Sequence, residues 1–380
     1  MTPIRTIYFL QSLSDDPYCN LALEDYLFSI EQDKEFLMLW QNRPSVIVGR
    51  YQNTAEEINR EYIAENNITV ARRMSGGGAV YHDLGNLNYT IIVNEGSDTL
   101  DFSDFARPAV RAMKKFGVEA EFSGRNDIIA YPDPDMAEIF CFSEENLPRK
   151  LSGCAQLSRN GRTLYHGCIL VNSDTEAASA ALRPNPAKYE SSAVKSVRSR
   201  IATLADLADR PVDAASFAGV LKEEIAADFV GLTADFAVDT ADAADLAASR
   251  KSGESSESSG VSRILVPYEL SSEAEAEIAK LAEEKYSTWQ WNYGFYGDYK
   301  VSRSKRFDFG TLTVSLTAEE GIIKDLKITG DFFAKKDLSG LEEILSGCPI
   351  DSSLKSVLDA ADCSSYIPGL KAEDLAGLIW

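Results

Sequence analysis

The segment 72–83 combines residue types that bind anions. It reads Arg72-Arg73-Met74-Ser75-Gly76-Gly77-Gly78-Ala79-Val80-Tyr81-His82-Asp83. Three consecutive glycines lack the Cβ atoms that would keep a ligand away from the backbone, and they permit turns with positive φ. Backbone N–H groups turned into such a concavity, beside two arginines, favour a phosphate or a carboxylate. A hairpin turn with solvated arginines is the alternative interpretation of the three glycines alone.

Five further residues carry polar groups that could complete such a site. The chain has only two histidines, His82 and His166, and both lie in glycine-bearing motifs. Their joint placement favours one common site, although a single histidine is more often a structural residue. Asn126 and Asp127 offer an amide and a carboxylate at a turn, which suits a ligand hydroxyl, a metal-bound phosphate or simply an Asx-type turn. Lys150 opens a predicted strand and could point its ammonium at an anion, whereas a lone lysine is usually a solvated surface charge.

The glycine motif matches none of the widespread nucleotide-binding motifs. A Walker loop ends in Gly-Lys-Ser/Thr, where this chain has Gly78-Ala79-Val80, and the dinucleotide fingerprint needs a third glycine where this chain has Tyr81. These departures argue against a P-loop kinase and a Rossmann dehydrogenase. The two histidines also lack the further ligands that a zinc site requires.

Composition and charge predict a globular, cytoplasmic protein of two domains. The 380 residues suffice for two cores, and 44% of them are hydrophobic. No apolar run approaches the roughly 18 residues of a membrane span. Six scattered cysteines without a CxxC pair indicate free thiols in a reducing compartment. The net charge of −21 argues against nucleic-acid binding, which needs a basic face. We therefore expect neither a nucleic acid nor a membrane as a partner.

The apolar pattern predicts the elements that position these residues. A helix is expected over 17–30 with Asp16 as its N-cap, and another over 54–66 opened by a capping box of Thr54 and Glu57. Strands are expected on both sides of the glycine motif, over 68–71 and 89–93. The other expected strands are 36–40, 45–48, 118–122, 127–130, 150–156 and 163–171, and the other expected helices are 103–116, 175–182 and 214–229.

A change in composition divides the chain. Residues 233–262 are rich first in Ala and Asp and then in Ser, Gly and Glu, a composition that buries too little apolar surface to order itself. We therefore predict a catalytic domain over 1–243, a flexible acidic, serine-rich linker over 244–262, and an accessory domain over 263–380.

Taken together, these motifs resemble those of lipoate–protein ligases. The resemblance covers nearly the whole chain except 131–149 and 233–262, and its most specific part is the string Arg-Arg-x-Ser-Gly-Gly-Gly-x-Val-x-His-Asp. The other matching segments are Asn20 to Glu24, Val48 to Asn53, Gly124 to Ile128, Lys150 to Gln156, His166-Gly167, Ser196 to Arg200, Trp289 to Gly294, Lys305 to Phe307 and Gly330 to Phe333.

The resemblance implies an α+β fold and a set of site residues. The fold would be akin to biotin ligases and class II aminoacyl-tRNA synthetases: a mixed, largely antiparallel sheet with packed helices, followed by a small α+β domain. Lys150 would be the catalytic residue and would touch both substrates. The expected ATP contacts are Arg73, Gly78, Ala79, Val80, Tyr81 and Lys150. The expected lipoate contacts are Ser75, His82, Lys150 and His166. The expected supporting residues are Arg72, Gly76, Gly77, Asn126 and Asp127.

The implied activity is ATP-dependent lipoylation. Lipoate would react with Mg·ATP, the Mg²⁺ being held through the ATP phosphates, to give lipoyl-AMP. A lysine of an acceptor would then take the lipoyl group. The expected acceptors are apo lipoyl domains of 2-oxoacid dehydrogenase E2 subunits or the glycine-cleavage H protein. A basic patch of Lys195, Arg198 and Arg200 would dock them.

Two other functions fit the same residues. A protein of the same fold could transfer an octanoyl or lipoyl group through a thioester on Cys154 or Cys168 without ATP, although such relatives generally lack the 124–128 pattern and the accessory domain. A non-catalytic protein that binds lipoate or a nucleotide is the third possibility, and it would release no pyrophosphate.

Overall fold

The largest element of the fold is an eight-stranded mixed sheet. A computed structural model describes residues 4–94, 102–123, 126–132, 147–182, 201–229, 262–293, 301–351 and 353–379. The strands of the large sheet are β1 (Ile4–Gln11), β2 (Glu35–Trp40), β6 (Asn86–Val93), β7 (Ala120–Ser123), β8 (Asp127–Ala130), β9 (Arg149–Arg159), β10 (Arg162–Leu170) and β11 (Ser262–Pro267). Their order is β11-β1-β2-β6-β10-β9-β8-β7. β1 runs parallel to β2 and β11, and the other neighbours are antiparallel.

Helices cover both faces of this sheet because its central strands are apolar on both sides. The helices of this unit are α1 (Pro17–Ser29), α2 (Thr54–Glu57), α3 (Arg60–Glu65), α4 (Ser103–Lys114), α5 (Thr175–Ala181), α6 (Leu204–Leu207), α7 (Ala214–Phe229), α8 (Ser272–Leu281) and α9 (Trp289–Asn292). Alternate strand residues face opposite sides. Phe36 and Met38 therefore pack with α1, whereas Leu37 packs with Phe217 of α7. In the described ranges no helix is long and apolar enough to cross a membrane.

The glycine motif belongs to a second, three-stranded sheet. Its central strand β3 (Ser45–Val48) is parallel to β4 (Thr69–Arg72) and antiparallel to β5 (Val80–His82). The chain leaves β4, passes the carboxyl end of β3 and returns as β5. We call residues 73–79 the glycine loop. The strand expected before the motif is β4, and the strand expected over 89–93 lies within β6 of the large sheet, whereas β5 was not predicted.

The helix expected over 54–66 is instead the two short helices α2 and α3. Ile58 between them is extended, with φ −118° and ψ 147°. Asn53, not Thr54, caps α2 with its side chain. Thr54 is engaged elsewhere, because its hydroxyl donates to the carbonyl oxygen of Asn292 at 2.5 Å. The predicted capping box was wrong because a partner distant in sequence competes for its hydroxyl.

The C-terminal unit is a small α+β domain. Its strands β12 (Val301–Phe307), β13 (Gly310–Glu319) and β14 (Ile322–Gly330) form an antiparallel meander. Its helices are α10 (Ser339–Leu345), α11 (Leu354–Ala360), α12 (Cys363–Tyr366) and α13 (Ala372–Ile379). Leu312 and Val314 of β13 pack with Leu341 and Leu358 of these helices. The predicted fold, a mixed sheet with packed helices followed by a small α+β domain, is confirmed.

Residues 262–293 pack against the first unit. β11 extends the large sheet by pairing with β1, with Leu265 opposite Ile7. Ala274, Ile278 and Tyr286 join the apolar core that contains α1. The boundaries 1–243, 244–262 and 263–380 stay a prediction. The packing leads us to propose that the accessory unit begins with β12.

Candidate active site

The Arg73 side chain holds the glycine loop from inside. Its guanidinium is buried and donates to the carbonyl oxygens of Ile47 at 3.1 Å, Gly76 at 2.7 Å and Gly78 at 2.8 Å. Its Nε donates to Ser75 Oγ at 3.1 Å. Burial lowers the pKa of Arg73 to about 10, so the side chain keeps its charge at neutral pH. The glycine loop therefore closes around a fixed positive charge.

The C-terminal unit contacts the glycine loop at two of its glycines. Gly77 has a φ of 90°, a conformation that favours glycine, and its N–H donates to the carbonyl oxygen of Phe332 at 3.1 Å. A Cβ atom on Gly76 would stand 2.2 Å from the same oxygen, so a side chain there would prevent the approach. In this arrangement the Gly77 N–H, one of the groups that the sequence predicts to bind phosphate, is already hydrogen-bonded to the C-terminal unit.

Arg72 is directed away from the glycine loop. Its side chain is fully buried, and Nη1 donates to three carbonyl oxygens of the segment 49–52 at 2.8 to 3.1 Å. Its Nε donates to the carbonyl oxygen of Trp291, and Nη2 to that of Asn292, both at 3.0 Å. Asn292 Oδ1 in turn accepts the Arg72 backbone N–H at 2.8 Å. We call these contacts, which join β4, segment 49–52 and α9, the Arg72 clamp.

A buried chain of hydrogen bonds runs from the glycine loop to α1. Ser75 Oγ lies 2.7 Å from His166 Nε2, and His166 Nδ1 lies 2.8 Å from Glu24 Oε1. Thr90 Oγ1 donates to the same Glu24 oxygen at 2.7 Å and accepts from Trp40 Nε1 at 2.9 Å. The second carboxylate oxygen of Glu24 is buried and has no hydrogen-bond partner among the described residues. It is therefore available to a donor on a ligand.

Sequence reasoning missed Glu24, Thr90 and Trp40 as site residues. A signal for Glu24 was present: Asn20 and Glu24 are spaced by four residues in a helix, so both lie on one face, and both are fully buried. A carboxylate on the buried face of an apolar helix requires a partner. Nothing local in the sequence identifies that partner as His166, which comes from β10.

His82 is a neutral histidine with one unused nitrogen. Burial, followed by the charges of Arg73 and His166, lowers the pKa of His82 to about 3. The Asn42 amide nitrogen donates to Nδ1 at 3.1 Å, so the neutral ring carries its proton on Nε2. Nε2 is buried and, within the described part of the chain, has no hydrogen-bond partner. It can donate to a ligand.

Lys150 and Asp127 form an ion pair at the start of β9. Their Nζ and Oδ1 atoms are 2.6 Å apart, and the Lys150 side chain is 36% exposed. Desolvation lowers the pKa of Lys150, but the Asp127 carboxylate outweighs it and the pKa is raised overall. A Cβ atom on Gly153 would stand 3.0 Å from Nζ, so the ammonium lies directly over this glycine. Asn126 fixes the turn, because its Nδ2 donates to the Cys154 carbonyl oxygen at 2.7 Å.

Cys168 lies where the two cations of the site meet. It pairs with Gly153 across β9 and β10. Burial raises the pKa of its thiol, while the charges of Lys150 and Arg73 act in the opposite direction. The thiol is therefore within electrostatic reach of both the β9 lysine and the glycine loop. Lys150 and the Ser75–His166 chain thus face a common region.

The remaining predicted residues follow the glycine loop into β5. Gly78, Ala79 and Val80 are partly exposed, whereas Tyr81 is buried with Val46 in the core of the small sheet. Their assignment to ATP stays a prediction. Gly124 and Arg125 lie outside the described residues, and so does the predicted docking patch of Lys195, Arg198 and Arg200.

No cluster of metal ligands accompanies these groups in the part of the chain that the structure describes. No three His, Cys, Asp or Glu residues converge there in a way that could hold an ion.

Comparison with known proteins places the chain in a family. Residues 16–226 match the lipoyl protein ligase A/B catalytic domain, and residues 297–379 match the bacterial lipoate protein ligase C-terminus. The chain is 34% identical over 370 residues to lipoate-protein ligase LplJ of Bacillus subtilis, a match that covers 96% of this chain and 97% of the relative. It is 33% identical over 367 residues to lipoate–protein ligase 1 of Staphylococcus aureus, with 96% and 97% covered.

A solved structure shares the same fold over the full length. The structure of P. falciparum LipL1 in complex with lipoate covers 98% of this chain and 97% of its own, with a TM-score of 0.68 and 22% identity. The chain thus belongs to the lipoate–protein ligase family. The predictions of this family and of an enzyme within it are confirmed.

Proposed function

We propose that this chain activates lipoate with ATP as lipoyl-AMP and transfers the lipoyl group to a lysine of an acceptor domain. The observation that carries the proposal is a shared face of the sheet. Lys150 lies over Gly153, which pairs with Cys168 of β10. His166, two residues before Cys168 and so on the same face, is hydrogen-bonded to Ser75 of the glycine loop and to Glu24. Two solved relatives support the substrates, because one holds lipoate and one, a lipoate–protein ligase A, is bound with ATP.

The first step joins two anions. A lipoate carboxylate oxygen attacks the α-phosphorus of ATP, the new C–O–P anhydride forms, and pyrophosphate leaves. A cation held between carboxylate and phosphate cancels their repulsion and aligns them. We assign this role to Lys150, because Asp127 keeps it protonated and Gly153 leaves room above the strand.

The glycine loop is assigned to the phosphates. The charge of Arg73 lies inside the loop, and backbone N–H groups of 76–80 would donate to phosphate oxygens. Gly77 N–H then has to exchange the Phe332 carbonyl oxygen for phosphate. When bound, Mg²⁺ would neutralise the pyrophosphate that leaves. Arg72 supports the loop through the Arg72 clamp.

Lipoate is assigned to the buried polar chain and its apolar surroundings. Nε2 of His82 is a buried donor without a partner among the described residues, so it can donate to the lipoate carboxylate. Ser75 and His166 would orient the carboxylate end. Val80 lies against the apolar core near α1 and would contact the hydrocarbon chain.

The second step transfers the acyl group to an amine. The acceptor lysine nitrogen attacks the acyl carbon, the amide C–N bond forms, the C–O bond to AMP breaks, and the amine releases its protons. A lysine of pKa near 10.4 is neutral in only about one part in 10³ at neutral pH, so it has to lose a proton before it attacks. An archaeal bi-partite lipoate–protein ligase has been solved with its E2 lipoyl domain, which supports an acceptor of that kind.

The decisive experiment is the mass of the acceptor after reaction. The full chain is incubated with ATP, Mg²⁺ and lipoate, together with an apo E2 lipoyl domain in one reaction and apo H protein in another. We expect intact-mass spectrometry to show the addition of one lipoyl group to at least one acceptor. Reactions without ATP, and acceptors whose target lysine is replaced by alanine, are the controls. An unmodified acceptor in every reaction would refute the proposal.

The protonation state of the Cys154 and Cys168 thiols argues against a cysteine-dependent transferase. Burial raises the pKa of Cys154 to about 11 and also raises that of Cys168, so neither is a ready thiolate. We expect Cys154→Ala and Cys168→Ser, each tested alone in the acceptor assay, to retain ATP-dependent lipoylation. Loss of lipoylation activity in a variant that still folds would instead support the thioester route.

A further inference from the structure

A cavity lies between the two units, beside the glycine loop. It has a volume of about 460 Å³. The first unit contributes Asp25 of α1, Trp291 of α9 and residues 158–160 at the end of β9, and the C-terminal unit contributes the segment 334–337. Met74 of the glycine loop also lines it, whereas Lys150 and His166 do not. We call it the interdomain pocket.

The lining of the interdomain pocket is positively charged, in contrast to the rest of the chain. Its ionisable residues are the five cations Arg50, Arg159, Lys285, Lys335 and Lys336 and the two carboxylates Asp25 and Asp337. These give a net charge of +3 in a chain of net charge −21. Anions are repelled by the chain as a whole and attracted to this cavity.

Two of the pocket cations are neutralised by the two carboxylates. Lys285 Nζ is 2.7 Å from Asp25 Oδ2, and Arg50 Nη2 is 3.7 Å from Asp337 Oδ2. Both cations also stack on the ring of Trp291, at 4.3 Å and 4.5 Å from its centroid. These contacts fix the inner wall of the pocket.

Arg159 and Lys336 stand at the rim with neutral partners. Both are exposed. Arg159 donates to Ser29 Oγ at 3.0 Å and packs on the Phe28 ring, and Lys336 donates to Ser365 Oγ at 2.9 Å and packs on a tyrosine ring. Neither has a carboxylate partner within the described ranges. Arg159 and Lys336 belong to different units but line the same cavity, unlike solvated cations that are spread over a protein surface.

We propose that the interdomain pocket binds a phosphate-bearing anion, with a condensed phosphate as the best ligand. An anion with several charged oxygens can accept hydrogen bonds from more than one of these cations. Charge-assisted hydrogen bonds to two such cations are stronger than neutral ones. Because its walls come from both units, the bound anion also links the C-terminal unit to the first.

The test is calorimetric titration of the full chain with inorganic pyrophosphate, without Mg²⁺ or lipoate. We expect the double variant Arg159→Ala/Lys336→Ala to bind at least tenfold more weakly than the wild type. The control double variant Lys324→Ala/Lys371→Ala removes the same charge from exposed sites outside the pocket and should bind like the wild type. Orthophosphate and AMP, titrated in parallel, distinguish a condensed phosphate from a single phosphate group, and both should bind more weakly.

The proposal is overturned if the wild type binds no pyrophosphate or if both double variants bind equally.

Discussion

Lys150 is a partly buried cation whose charge is secured by one neighbour. The Asp127 carboxylate raises its pKa against the effect of desolvation. The same carboxylate competes with a substrate anion for the ammonium. The pair therefore gives a charged lysine that can be drawn toward a stronger anion when lipoate and ATP bind.

Replacement of Lys150 by alanine should abolish adenylation while leaving the fold intact. The side chain is 36% exposed, so its loss creates little cavity. We expect lipoate-dependent ATP–pyrophosphate exchange to fall at least 100-fold, or about 3 kcal/mol of transition-state stabilisation. Arg149→Ala changes the neighbouring cation and serves as the control. Exchange near the wild-type rate in Lys150→Ala would remove this lysine from the mechanism.

His82 makes the stability of the fold depend on pH. Its folded-state pKa of about 3 lies below the ordinary 6.5, so the fold retains the neutral ring. The contribution of His82 is complete above about pH 6.5 and is lost as the pH falls toward 3, because the unfolded chain takes up a proton that the folded chain does not. Between pH 7 and pH 5 this amounts to about 2 kcal/mol.

Replacement of His82 by glutamine should flatten this dependence. Urea denaturation at pH 5, 6 and 7 gives the free energy of unfolding of both proteins. We expect the difference between pH 7 and pH 5 to be smaller in the variant by about 2 kcal/mol. An unchanged slope would show that His82 titrates normally in the fold.

Some of these site residues could be predicted from the sequence and others could not, and the reason is physical. The glycine motif, both histidines and Lys150 stand out by residue type and spacing. The orientations of Arg72 and Arg73 could not be predicted, because their partners are backbone oxygens that any residue supplies. The Arg72 clamp in particular joins residues 220 positions apart.

At the scale of elements, α9 is fixed to β4 by the Arg72 clamp. Asn292 contributes with both ends of its side chain, because Oδ1 accepts from Arg72 N and Nδ2 donates to the Tyr286 carbonyl oxygen at 2.7 Å. Asn292 is buried, so water cannot replace these hydrogen bonds when they are lost. The position of segment 49–52, which lies against the glycine loop at Gly49, depends on the same clamp.

Replacement of Asn292 by alanine should therefore destabilise the first unit. It leaves buried donors and acceptors unsatisfied, at a cost of about 1–3 kcal/mol in the free energy of unfolding. Urea denaturation measures this loss of stability. The control is Glu283→Ala, at an exposed position in the helical turn before α9. Equal stability of the two variants would mean that the clamp is dispensable.

At the scale of the whole molecule, the C-terminal unit is held at the glycine loop by a very close approach. Gly76 permits it, since a Cβ atom there would stand 2.2 Å from the Phe332 carbonyl oxygen. The stacking of Tyr51 on Phe332, with centroids 5.4 Å apart, supports the same contact. The structure thus couples access to the glycine loop to the position of the second unit.

Replacement of Gly76 by alanine should release this contact. We expect a larger radius of gyration in small-angle scattering and faster proteolysis between the two units. Gly219→Ala is the matched control, because a Cβ atom at this position meets nothing within 4 Å. A compact, protease-resistant Gly76→Ala protein would show that other contacts hold the units together.

The pairing of β1 with β11 has a consequence for synthesis on the ribosome. β1 emerges long before β11, its neighbour on one side, which begins at Ser262. Until that segment leaves the exit tunnel, the nascent chain presents an unpaired backbone edge along β1, and such edges recruit other strands. Chains that terminate early would therefore be substrates for chaperones, and the large sheet is completed only late in translation.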